Sequence, residues 1–153
     1  RSNAPGMLLA VSRVNESVPL FLVEGIKRRL GALNGRKIAV LGLAFKGNTD
    51  DERDSLAYKL VRLLERELAD VVVHDPRVAT PTPPFEEAVA GADAVVVAAN
   101  HDEFTGPEVL RTVGELAGDD ALIVDPWNSF GAAQVFGYVS ELSALTNGRV
   151  ALP

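Results

Sequence analysis

The chain has no cysteine among its 153 residues. That excludes a disulfide framework, thiolate metal ligation and a cysteine nucleophile within it. Long apolar runs are also missing. None approaches the roughly 18 residues that a membrane-spanning helix needs, and the N-terminus lacks the charged-then-apolar pattern of a secretory signal. Basic residues are in deficit, with 15 Lys and Arg against 21 Asp and Glu and a net charge of −6. Apart from Lys27-Arg28-Arg29, which reads as the solvated side of a helix, the cations are scattered. Nucleic acid and anionic membrane are therefore poor partners. There is no internal repeat and no low-complexity tract. The absence of cysteine and of a signal fits a cytoplasmic protein. At 47% apolar and 24% charged residues, what remains is ordinary globular material, long enough for one domain with a sizeable core.

Three stretches organise the chain. Residues 1–10 read as lead-in, with Ser2-Asn3-Ala4 resembling the remnant of a cleaved tag, so the chain is expected to be a piece of a longer protein. Residues 11–31 read as an amphipathic helix standing ahead of the first strand. Val14, Val18, Leu22, Ile26 and Leu30 recur every four positions. Pro19 should bend or restart it, and Gly31 should stop it. Its apolar stripe requires cover from its own domain or from a partner, and pairing with a second copy is the favoured outcome. Residues 35–153 alternate strands near 37–43, 70–74, 93–98, 121–125 and 135–139 with helices near 54–68, 84–90 and 107–116. Val95-Val96-Val97 and Ala121-Leu122-Ile123-Val124 are continuous apolar runs, as strands buried on both faces require. The alternation predicts an α/β, three-layer Rossmann-like domain with a doubly wound parallel sheet, preceded by that helix.

The usual dinucleotide turn is missing. After the first strand come Gly42 and then Gly47, with Leu43 where a second glycine would admit pyrophosphate. A P-loop is excluded too, since no Gly-Lys-Ser/Thr follows. Instead a long polar loop, Ala44–Asp54, joins the strand to the next helix, where a plain connection needs about 2–6 residues. In such folds ligands bind at the carboxyl ends of strands. Lys46 and Arg53 are its best functional candidates. The residues alone leave two readings open. Both cations could balance Asp50, Asp51, Glu52 and Asp54, or they could be held by those acids, oriented toward a polar ligand. Asp75 is expected to cap the turn before Pro76. His101, beside Asp102 and Glu103, matches no zinc spacing and reads as part of a loop entering a helix; no metal site is expected. Trp127, after Asp125-Pro126, either stacks on a ligand ring or packs in the core.

Phe45-Lys46-x-x-Thr49-Asp50-Asp51-x-Arg53-x-Ser55, after a Gly-Leu-Ala strand end, resembles the C-terminal domain of the UDP-glucose/GDP-mannose dehydrogenases. Val73-His74-Asp75-Pro76, the run Ala92–Val97, and Val14-Asn15-Glu16 with Pro19 agree with it, so that the resemblance covers roughly residues 7–140. It implies that Phe45, Lys46, Gly47 and Trp127 contact a UDP-sugar and that Arg53 reaches NAD held mainly by an N-terminal domain outside this chain. His101 resembles the branch acting on N-acetylated sugars such as UDP-N-acetylmannosamine. Many members carry a basic residue near Trp127, and this chain departs from that pattern. The family oxidises the C6 hydroxyl of a nucleotide sugar to a carboxylate through a cysteine-bound thiohemiacetal, forming precursors of polysaccharide. That cysteine is not here, so the resemblance implies no catalytic residue in this chain, no turnover by it alone, and a homodimer built partly on residues 11–31 as the inter-domain connecting helix. The alternative is a stand-alone nucleotide-binding or regulatory α/β module without catalysis.

Overall fold

In the computed structural model the backbone is described for residues 3–150 and the side chains for residues 17–147. Helix α1 (Asn3–Leu30) leads into strand β1 (Lys37–Leu41), followed by α2 (Leu56–Arg66), β2 (Asp70–His74), α3 (Phe85–Val89), β3 (Ala94–Val97), α4 (Pro107–Ala117), β4 (Leu122–Val124), β5 (Phe136–Tyr138) and α5 (Val139–Val150). The tag reading of residues 1–2 lies outside the described residues. The helix begins earlier than expected, at Asn3, and continues through Pro19. Gly31 stops it as anticipated, at φ 76° with its amide donating to Lys27 O at 2.8 Å.

The five strands lie in the order β2-β1-β3-β4-β5. β1 pairs parallel with β2 and β3, and β3 pairs parallel with β4. The expected doubly wound parallel sheet is formed by β1–β4, and the edge strand β5 runs antiparallel to β4. The reason is length: residues 125–135 give too little chain for the crossover of a dozen or more residues that a parallel return requires. Helix α5 was not anticipated. Its sequence, with Asn147-Gly148 inside it, presents no clear apolar stripe.

The sheet is buried on both faces, which makes three layers. Ile38, Val40, Ala94, Val96, Leu122 and Val124 face one way, toward Leu22, Val23 and Ile26 of α1 and Ala57, Leu60 and Leu64 of α2. Ala39, Leu41, Val95, Val97 and Ile123 face the other way, toward Val89, Leu110, Val113 and Leu142. So over the described side chains, Val18 to Leu30, the apolar stripe of α1 is covered by its own domain. What it leaves open is Leu20 and Phe21, 53% and 57% exposed. Among the described residues no helix is long and apolar enough to cross a membrane.

Candidate nucleotide-sugar site

The loop after β1 owes its shape to the sheet order. β1 lies between β2 and β3, so the residues leaving those neighbours, Asp75 and His101, flank the loop on either side. Asp75 is buried. Its Oδ2 accepts the Leu43 amide at 2.7 Å and the Ala44 amide at 3.1 Å, while Oδ1 accepts the Arg77 amide at 2.8 Å. It does cap the turn before Arg77, as the sequence suggests, but it also anchors the β1 loop. Burial pushes its carboxyl up, and the donated hydrogen bonds from Arg77, His101 and Leu43 more than offset this, leaving it below the ordinary carboxylate value.

His101 is fully buried. Its Nδ1 receives the Asn48 amide at 2.8 Å and its Nε2 lies 2.9 Å from Asp75 Oδ2. A ring so placed is not a surface base. Among the described residues no group of three His, Cys, Asp or Glu could hold a metal ion. Asn48 takes a left-handed backbone at φ 60°, which asparagine tolerates better than most residues. Its side chain trades hydrogen bonds with Asp102, Nδ2 to Oδ1 at 3.1 Å and Oδ1 from the Asp102 amide at 3.0 Å.

Between these anchors stand Phe45, Lys46 and Gly47. Phe45 is 52% exposed despite its size. Lys46 is exposed, and its ammonium makes no ion pair or hydrogen bond among the described residues. Two of the loop acids are engaged by other residues: Asp51 by Arg53, and Glu52 by the Tyr58 hydroxyl at 2.5 Å and the Thr80 hydroxyl at 2.9 Å. Gly47 approaches the loop after β3 so closely that a Cβ would lie 2.6 Å from both Asn100 O and Oδ1.

Arg53 is exposed and pairs in a two-pronged fork with Asp51, which lowers the Asp51 carboxyl to about 2. After β4, Asp125 is buried and accepts the amides of Ser129 at 2.9 Å and Phe130 at 3.0 Å, fixing the turn that carries Trp127. Trp127 is not a core residue. Its indole is 40% exposed, with Nε1 donating to Ala98 O at 3.2 Å.

The main dinucleotide site is not built here. Leu43 is 4% exposed where a glycine would be needed, and its amide and that of Ala44 are already used by Asp75. Those are the donors that a pyrophosphate-binding turn would offer. Gly42, at φ 103°, serves close packing instead, since a Cβ there would lie 2.6 Å from Ala99 Cβ. A separate cleft of about 280 Å³, lined by His74, Phe85, Glu103 and Phe104 among others, involves none of Phe45, Lys46, Arg53 or Trp127.

A mostly parallel three-layer sheet whose carboxyl edge presents a clamped, cation-bearing loop defines a Rossmann-like ligand-binding domain. The chain belongs to the UDP-glucose/GDP-mannose dehydrogenase family and contains its UDP-binding domain, matched over residues 39–132. It is 39% identical over 103 residues to a UDP-N-acetyl-D-mannosamine dehydrogenase of Pyrococcus horikoshii, covering 65% of this chain and 25% of that protein. To a UDP-glucose 6-dehydrogenase of Haloferax volcanii it is 40% identical over 111 residues, again covering 65% and 25%. Among solved structures, a UDP-N-acetyl-mannosamine dehydrogenase of Staphylococcus aureus aligns with TM-score 0.68 and 27% identity over 87% of this chain and 33% of the other. The chain thus spans about a quarter of the length of the curated relatives it matches. A stand-alone module is not favoured.

Proposed function

We propose that this chain is the nucleotide-sugar-binding part of a cytoplasmic, NAD-dependent dehydrogenase that oxidises the C6 hydroxyl of a UDP-sugar to a carboxylate. The observation that carries it is the tripeptide Phe45-Lys46-Gly47, clamped on both sides at the carboxyl end of β1, with an unpaired ammonium and a half-exposed ring presented to solvent. Lys46 donates charge-assisted hydrogen bonds to the sugar nucleotide. Phe45 and Trp127 supply apolar surface, and Gly47 lets the backbone approach. Arg53, held by Asp51, reaches the cofactor, which is bound mainly by an N-terminal domain. NAD supplies the hydride acceptor, and the cysteine and general base come with that domain, so this chain alone has no turnover. The relatives' names support an N-acetylated hexosamine as the sugar. The chain pairs with a second copy through the strip of α1 around Leu20 and Phe21.

Calorimetric titration with UDP tests the assignment. Saturable binding is expected, weakened tenfold or more by Lys46→Ala, since a hydrogen bond to a charged group contributes about 1.5–3 kcal/mol. An unchanged melting temperature should accompany that loss. Wild-type affinity in Lys46→Ala overturns the role of Lys46.

A further inference from the structure

We infer that His101 is the positioning residue of the Phe45–Gly47 tripeptide, acting as a neutral ring that latches the far side of the loop through the Asn48 amide. The inference rests on the reading of that tripeptide as the nucleotide-sugar contact.

The hydrogen bonds form a closed circuit. On the near side, Leu43 and Ala44 give their amides to Asp75 Oδ2. On the far side, Asn48 gives its amide to His101 Nδ1, and His101 Nε2 returns to the same Asp75 oxygen. The tripeptide between is therefore bracketed by two side chains that touch each other. An amide N–H can only donate, so Nδ1 must carry the lone pair. The single ring proton then sits on Nε2 and goes to the carboxylate. The ring is fully buried, with Phe104 5.6 Å away between centroids. His101 thus acts through the loop and does not itself meet a ligand.

The two ring nitrogens can be separated by substitution. His101→Asn sets an amide oxygen near the position of Nδ1 and keeps an acceptor for Asn48, while losing the reach to Asp75. His101→Gln sets an amide nitrogen near the position of Nε2 and keeps the donor to Asp75, while losing the latch. Each variant forfeits one buried hydrogen bond, and the one lost in His101→Asn is the stronger, charge-assisted bond to Asp75, so a merely structural role predicts losses that follow stability and are no smaller in His101→Asn.

Three measurements decide it: ring ¹⁵N shifts in the wild type, amide exchange at residues 45–48, and UDP affinity. The expected result is an Nε2-protonated ring and fast exchange at Asn48 in His101→Gln only. UDP affinity should fall about fivefold or more in His101→Gln, as loss of one hydrogen bond of about 1 kcal/mol predicts, with His101→Asn close to wild type. A ring protonated on Nδ1, wild-type exchange in His101→Gln, or affinity losses in both variants that merely follow their melting temperatures would overturn the inference. Should the wild type bind no UDP, the assignment of the tripeptide fails, while the ring shifts and exchange rates still judge the latch on their own.

Discussion

Arg53 lies against Asp51 in a fork, Nε to Oδ1 at 2.9 Å and Nη2 to Oδ2 at 2.7 Å, and the Arg53 amide meets the same Oδ1 at 3.0 Å. Both partners are solvent-accessible, so the pair adds little to stability. Its consequence is orientation: a guanidinium gripped along one edge presents the other edge in a fixed direction. In the full-length enzyme, Asp51→Asn should weaken coenzyme use while the melting temperature of this domain stays put. Arg53→Lys should do the same, because an ammonium cannot reproduce the fork. A steady-state KM for NAD unchanged in both variants would remove Arg53 from the cofactor site.

Asp75 should behave oppositely, as a stability residue. It is buried and receives three amides and a ring N–H. In Asp75→Asn one of those donors must face an amide N–H, and a loss of at least about 2 kcal/mol in urea unfolding is expected. The pH dependence has a definite sign. A carboxyl held below its ordinary value contributes stability that is complete above about pH 3.9, the ordinary aspartate value, and is lost as pH falls through its folded value. The gap between wild type and Asp75→Asn should therefore narrow as pH falls below about 4. A gap that stays constant down to about pH 2 would contradict the assignment.

The fold was legible where chemistry repeats along the chain. The unbroken apolar runs of β3 and β4 and the four-residue stripe of α1 announce buried strands and an amphipathic helix. The direction of β5 lies not in the strand itself, Phe136-Gly137-Tyr138, but in the connection before it, residues 125–135, which is too short for a parallel crossover. The loop Ala44–Asp54 stood out by its charge and length, yet its clamp did not. Asp75 and His101 are far apart in sequence and become neighbours only because β1 inserts between β2 and β3. A strand order is a property of the packed sheet, and no local pattern around His101 encodes it.

Gly47 is where the loop has least room. A methyl group there meets the Asn100 carbonyl, which belongs to the backbone and cannot swing away. Gly47→Ala should cost about 1–3 kcal/mol, as overpacking does. By displacing the tripeptide it should also reduce UDP affinity by more than its effect on stability implies. Calorimetry at a temperature where the variant is fully folded separates the two effects. Wild-type affinity in a folded Gly47→Ala would mean that the close approach to Asn100 does not set the site.

The last expectation concerns α1. Leu22, Val23 and Ile26 are buried in their own domain, so the helix is docked rather than dangling. Leu20 and Phe21 nevertheless remain more than half exposed, with Phe21 5.7 Å from the Phe136 ring between centroids. Leu20 borders a groove lined also by Pro19 and Leu63 and by the cationic Lys59, Arg62 and Arg66. Adjacent exposed apolar side chains of this size favour association, and two copies of one patch close most simply about a twofold axis. Leu20→Glu is the cleaner test. Leu20 is largely solvent-exposed, so the fold should survive, while a charge in the shared patch should split the pair. Light scattering over a dilution series should show the wild type moving from dimer to monomer and Leu20→Glu monomeric throughout. A wild type that is monomeric at every concentration rejects the pairing, and a Leu20→Glu chain that still dimerises places the contact elsewhere.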